Sequence, residues 1–498
     1  MHHHGARGQW ARAADLGGAL RCGTGEVVSD APMSTLIQNG TVINADGKQR
    51  ADVLFEGETI TRVAPNIPAA GHTVVDATGL LVMPGGVDVH THLDMPFGGT
   101  VSADDYRTGT IAAAVGGTTT VIDFALQSMG HTMCEALETW LAKSAGKACI
   151  DYGLHMAVTD LGPGGGARGM AEMETMVKKG ISSFKLFMAY PNVLMIDDAL
   201  MFKVMHKAGQ LRALCCVHAE NGSVIDIVVA RMIAEGKTAP HFHAHSRSAH
   251  AEAEATHRAI AIAHMADASV YIVHLSNEDA LRELKHAQQR GLHALAETCP
   301  QYLVLSLEEH MPGKSWDEAK YVFTPPLRKK HNQAPLWKAL EDGTLAVVST
   351  DHCPFRFADQ KSLGKDNFTK IPNGGPGIEN RLQILWQFGV NTGQLTPERF
   401  VELCCTAPAR IFGMPQKGVI APGKDADILL WDTNASYTIT AATQRMATDY
   451  SMFEGWKVKG NARHVFSRGE LVVKDGEWIG QTGRGRFLKR EANAGGFA

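Results

Sequence analysis

Two histidines separated by one residue, His90 and His92, close a short apolar run in this chain of 498 residues. Side chains at i and i+2 of a strand point the same way, so the pair can grip one ion together. Three further runs end in residues that bind metals or move protons: His218, His274 and Asp351. Neutral imidazole and carboxylate, without thiolate, is the ligand set of a catalytic zinc that keeps coordination positions open. Lys185 sits near the end of another run, beside Phe184, Leu186 and Phe187. The charge balance suggests a role for it. Two Zn²⁺ ions carry +4, and Asp351 with one bridging hydroxide leaves +2 in a buried site, which favours another anion. A lysine carboxylated by CO₂ supplies −1 and two oxygens able to bridge ions ~3.5–4 Å apart.

These residues are far apart in the chain, so a fold must gather them. Eight apolar runs, at residues 86–89, 118–124, 152–158, 181–187, 213–218, 270–274, 293–298 and 345–351, alternate with helix-length amphipathic stretches. The alternation predicts a parallel (β/α)₈ barrel with insertions, whose strand C-termini converge on one mouth. A doubly wound sheet is the alternative. Residues 36–82 and 418–478 have another texture, short alternating runs broken by turn residues such as Asn39-Gly40. They predict a small β-sandwich built from both ends of the chain, residues 34–83 with 416–480, around a barrel over 84–415. Residues 1–33 show no strand or helix period and read as an extension or tag. Residues 481–498 read as a C-terminal tail of the kind that can dock on a neighbouring subunit.

Lys and Arg number 48 against 52 Asp and Glu, a net charge of −4. No basic run reaches five residues, which argues against nucleic acid or an anionic membrane as partner. Nothing approaches ~18 consecutive apolar residues, and no signal-peptide apolar core is present. Nine cysteines with no CxxC suit reduced thiols, so a cytoplasmic location is expected.

The motifs PGGVDVHTH (84–92), GGTTTVIDF (116–124), SSFKLFMAY (182–190), VHAENG (217–222), YIVHLS (271–276), TCPQYL (298–303), FTPPLR (323–328), STDHCPF (349–355), NGGPGIENR (373–381) and GKDADILLWD (423–432) occur in order. Together they resemble the cyclic amidohydrolases of the amidohydrolase superfamily, and within these the dihydropyrimidinase (hydantoinase) group. The resemblance implies a distorted TIM barrel with a β-sandwich and two Zn²⁺ bridged by N6-carboxylated Lys185 and a hydroxide. It assigns His90, His92, Lys185 and Asp351 to one ion, and Lys185, His218 and His274 to the other. It further implies Tyr190, Thr324 and Asn373 as substrate residues, Tyr190 and Asp351 in catalysis, and a homotetramer or homodimer. Thr324 departs from the serine common among relatives. The expected substrate is a cyclic ureide, a dihydropyrimidine or 5-substituted hydantoin, opened to an N-carbamoyl amino acid.

Alternatives remain. Dihydroorotases carry an arginine where this chain has Asp94, and an acidic group there repels a substrate carboxylate. An allantoinase, or a non-catalytic scaffold that has lost its ligands, are further readings. Met95, Phe97, Phe187 and Leu194 are candidates for an apolar gate at the mouth. The glycine-rich residues 162–169 lack the Gly-Lys-Ser/Thr of a phosphate loop and read as a flexible loop. His241, His243, His245 and His250 likewise read as a loop.

Overall fold

A computed structural model of the chain describes residues 34–492. The readings for residues 1–33 and 493–498 lie outside the described residues. Eight parallel strands, numbered here around the barrel, form one sheet: β1 (Gly86–Thr91), β2 (Thr118–Leu126), β3 (Asp151–Ala157), β4 (Ser183–Phe187), β5 (Leu214–His218), β6 (Val270–Ile272), β7 (Ala294–Thr298) and β8 (Val347–Val348). Each pairs with its neighbour in sequence, from β1–β2 round to β7–β8. Helices cover the outside of such a sheet and packed side chains fill its inside, which is why the runs are continuously apolar rather than alternating. The helices start at residues that satisfy their free N–H groups. Asp105 and Thr132 form capping boxes ahead of Tyr106–Val115 and Met133–Ser144, and Asn277 caps Glu278–Gln289.

Side chains close the barrel. Among the described residues no ladder joins β8 to β1. Fully buried Arg381 instead donates to the carbonyls of Val87 (2.8 Å) and Val348 (2.9 Å), and Asp88 accepts from the backbone and hydroxyl of Thr350 at 3.2 and 2.6 Å. Towards the mouth the backbones meet again: Thr91 bridges to His352, and the His92 amide donates to the His352 carbonyl at 2.8 Å. The segments carrying His90, His92 and Asp351 are thus fastened together at the seam.

Both ends of the chain share a separate seven-stranded sheet. Ile428–Thr438 runs antiparallel to Leu81–Pro84, with Ile428 opposite Pro84. A four-stranded sheet of Thr59–Ala64, Asp52–Glu56, Ser34–Gln38 and Thr73–Asp76 packs against it. Val53, Phe55 and Ile60 from the smaller sheet join Val82, Ile428 and Phe466 from the larger in one apolar cluster. The rings of Phe55 and Phe466 meet edge to face at 5.5 Å. At the barrel base, Lys417 lies 2.8 Å from the carboxylates of Asp151 and Asp427 and 2.9 Å from Asp425.

Three segments differ from their sequence reading. Residues 164–166 form a 3₁₀ turn that runs into the helix Ala167–Lys178, because the positive φ of Gly166 lets the chain turn directly into it. The histidine-rich stretch folds as the helix His241–Ser246, and His250 lies in Ala249–Met265. The described part of the tail docks on its own barrel: buried Arg490 donates to the Leu154 carbonyl (2.6 Å) and the Ser183 hydroxyl (2.8 Å).

Candidate metal centre

At the mouth, His90 lies near the end of β1 and His92 one residue beyond it. Their Nε2 atoms each stand 3.2 Å from Asp351 Oδ1. His274 and Asp351 do not sit within strands. They lie two and three residues past β6 and β8, at φ +41° and +53°. Left-handed backbone at non-glycine residues costs on the order of 1–3 kcal/mol each and concentrates at functional sites. At the end of β5, His218 Nδ1 faces His274 Nε2 at 2.9 Å. Lys185, 1% exposed on β4, lines the same cavity as these groups, its Nζ 5.0 and 5.1 Å from the rings of Phe124 and Phe187.

Carboxylates behind the histidines fix the rings. His90 Nδ1 meets Glu297 Oε1 at 2.5 Å, and Glu297 also accepts from the Tyr271 hydroxyl at 2.9 Å. His218 Nε2 meets Glu220 at 2.9 Å, and Glu220 is in turn paired with Arg247 at 2.9 Å. Such contacts place the ring proton on the outer nitrogen and leave the inner one as a lone pair aimed at the centre. Sequence reasoning passed over Glu297 and Glu220, although each stood in plain view: Glu297 one residue from the end of an apolar run, and Glu220 two residues after His218.

The donor set fits a metal. Buried His90 Nε2 has no hydrogen-bond partner, whereas buried polar atoms ordinarily have one. Ligand atoms of His90, His274 and Asp351 all lie within 4.8 Å of one another. The 3.2 Å spacings about Asp351 are close to the edge, roughly 3.4 Å, of a tetrahedron with ~2.1 Å bonds to zinc. Burial would raise the Asp351 carboxyl, but His90 and His92 beside it hold it well below the usual range. Burial pushes His92 down to about 4 and Lys185 down to about 8.

Tyr190 follows β4 in a left-handed turn at φ +67°, its carbonyl accepting from the amides of Val193, Leu194 and Met195 at 3.0–3.1 Å. Burial pushes its phenol up to about 12, so it remains a donor at neutral pH. Asn373 Nδ2 donates to the Thr324 hydroxyl at 3.0 Å. His243, on the helix His241–Ser246, is buried behind them, its Nε2 2.9 Å from the Phe323 carbonyl and 3.3 Å from the Thr324 hydroxyl. His90, His92, Lys185, Tyr190, His218, His274, Thr324, Asp351 and Asn373 all line one cavity, with Met95, Phe97, Leu126, Phe187 and Leu194 forming its apolar wall. His241, His245 and His250 are absent from that lining. A separate cavity of about 330 Å³ lies around Val270 and His293 at the other end of the barrel, and none of the residues above line it.

The amidohydrolase family model matches residues 81–472. The chain belongs to the amidohydrolase family. This amidohydrolase is 47% identical to a D-hydantoinase of Streptomyces coelicolor over 462 residues, 92% of this chain and 98% of the relative. It is 45% identical to a D-hydantoinase of Geobacillus stearothermophilus, over 92% and 97% of the two chains. Among solved structures, a dihydropyrimidinase from Brevibacillus agri superposes with a TM-score of 0.90 at 48% identity, covering 92% of this chain and 99% of that one. Among the described residues no helix of the amidohydrolase is long and apolar enough to cross a membrane.

Proposed function

We propose that this amidohydrolase hydrolyses the ring amide of cyclic ureides, 5-substituted hydantoins and 5,6-dihydropyrimidines, to N-carbamoyl amino acids. One observation carries the reading: a histidine, carboxylate and lysine cluster with a metal-like spacing shares its cavity with a half-buried tyrosine donor and the hydrogen-bonded pair of Thr324 and Asn373. His90, His92 and Asp351 would hold one zinc and His218 and His274 a second, with Lys185 carboxylated between them by addition of its neutral amine to CO₂ and loss of a proton. When bound, the ions supply Lewis acidity that brings the pKa of water towards ~7.

The protein groups then divide the work. The Asp351 carboxylate takes a proton from the attacking water and returns it to the departing ring nitrogen. The Tyr190 hydroxyl donates a hydrogen bond to the oxyanion developing on the ring carbonyl. Asn373 and Thr324 hold the remaining N–H and C=O groups of the ring and decide which amide faces Asp351. Met95, Phe97, Phe187 and Leu194 meet the ring substituent as an apolar gate. Assembly as a homotetramer or homodimer and a cytoplasmic location complete the reading.

The test is kcat/KM for dihydrouracil, both 5-methylhydantoin enantiomers, allantoin and dihydroorotate on zinc-loaded protein. Turnover of the first three substrates, with allantoin and dihydroorotate at least 100-fold poorer, supports the proposal. A preference for allantoin, or zinc-loaded protein that opens none of these rings, overturns it.

A further inference from the structure

Lys361 is buried to 0% exposure, yet among the described residues no carboxylate pairs with it. Its Nζ donates instead to three backbone carbonyls, Val322 at 2.8 Å, Pro372 at 2.7 Å and Gly374 at 2.7 Å. An ammonium has three N–H donors and no acceptor, so this environment satisfies it one for one. The acceptors come from two segments that the sequence separates by about fifty residues, and each segment carries a substrate residue. Val322 lies two residues before Thr324. Pro372 and Gly374 flank Asn373 on both sides.

We infer that Lys361 is a positioning residue that fixes the Thr324 and Asn373 segments relative to each other, and so sets the orientation in which the ring is held. The Pro372 carbonyl lies in the peptide plane before Asn373 and the Gly374 carbonyl in the plane after Gly374, so one ammonium holds the chain on both sides of Asn373, while the Gly374 amide fixes the plane between them. The direct links between the segments, Gly374 amide to Val322 carbonyl at 3.0 Å and Asn373 to the Thr324 hydroxyl at 3.0 Å, then hold a single register. Gly374 stands at φ +152° with its Cα hydrogen turned onto the Cys353 carbonyl, where a Cβ would come within 2.1 Å, so this segment is also pressed against the stretch after β8 that bears Asp351. Burial pushes Lys361 down to about 7, a cost that a methionine at the same place would avoid. A costly buried cation is expected where a site needs it rather than in a part of the core that only packs.

The inference rests on the proposed roles of Thr324 and Asn373, and its test separates the two. Lys361→Met removes every donor, and Lys361→Gln keeps two. Expected are a KM for hydantoin raised at least tenfold in Lys361→Met and less in Lys361→Gln, kcat within about threefold, and two zinc ions per chain as in the wild type. Hydrogen exchange should speed up in peptides covering 320–327 and 370–377 and not across the barrel. Unchanged exchange in those peptides, or a loss of protection spread over the whole chain, overturns the inference. So does an equal fall in kcat and kcat/KM. Should Lys361→Met fail to fold, Lys361→Gln decides by the same readings. If the wild type opens no cyclic ureide, the functional reading fails, and the exchange pattern still decides whether Lys361 anchors the two segments.

Discussion

Two buried lysines stand at opposite ends of the barrel, and their surroundings differ in kind. Lys417, at the base, is enclosed by Asp151, Asp425 and Asp427 at 2.8–2.9 Å. Burial disfavours its charge, but the three carboxylates more than reverse this and raise its pKa. Lys185, at the mouth, sits among imidazoles and aromatic rings, and burial pulls it the other way, to about 8. The base is electrostatically complete with protein groups alone, joining the β sheets to the first residue of β3. The mouth brings the imidazole nitrogens of His218 and His274 within 2.9 Å of each other with the Lys185 amine set among aromatic rings, an arrangement that the proposed zinc ions and the carboxylation of Lys185 would balance. Barrels of this class keep stability at the base and chemistry at the mouth, and the two lysines show the division in charge terms.

Chelation of the metal should have the largest effect: complete loss of turnover with the circular-dichroism spectrum retained, and recovery on adding Zn²⁺. Unfolding on chelation would show that the mouth is structural after all. Next comes Asp351→Asn, for which kcat should fall ~10²–10⁴-fold, the range for a lost acid–base group. Substantial turnover in that variant contradicts the proton-transfer role. At the base, Lys417→Met removes the cation that three carboxylates share, leaving Asp151 its 2.9 Å pair with Arg468, and should cost about 3–5 kcal/mol in urea unfolding while kcat stays within twofold. A matching fall in kcat would break the contrast between the two ends. Tyr190→Phe should lower kcat by ~10²–10³-fold, about 2.7–4 kcal/mol, with KM little changed. The smallest effect is expected from Thr324→Ser, which keeps the hydroxyl that accepts from Asn373 and should leave kcat/KM within threefold.

Much of this site was legible because its chemistry falls at strand ends. His90, His92 and His218 could be placed by counting along apolar runs, and the resemblance added Tyr190, Thr324 and Asn373. His274 and Asp351 also stood at run ends, but they act from left-handed turns beyond short strands, a conformation that apolar patterning does not encode. The second layer was harder to read. Glu297 is 207 residues from His90, and His243 is 81 from Thr324. A carboxylate or histidine in such a role looks in sequence like any other polar residue. Lys361 gave no signal at all, since its partners are carbonyls that every residue possesses.

The sequence by itself determined the alternation of eight apolar runs with helices, the β texture of both ends, and the set of metal-capable side chains, because these follow from local periodicity and residue type. Only the tertiary structure decided the rest: that Arg381 and Asp88 close the barrel where β8 is too short to pair, that Glu297 and Glu220 orient the histidines, and that one ammonium holds Thr324 beside Asn373. Those choices depend on distances between residues remote in the chain, and in a closed barrel the distances are set by how all eight strands pack at once.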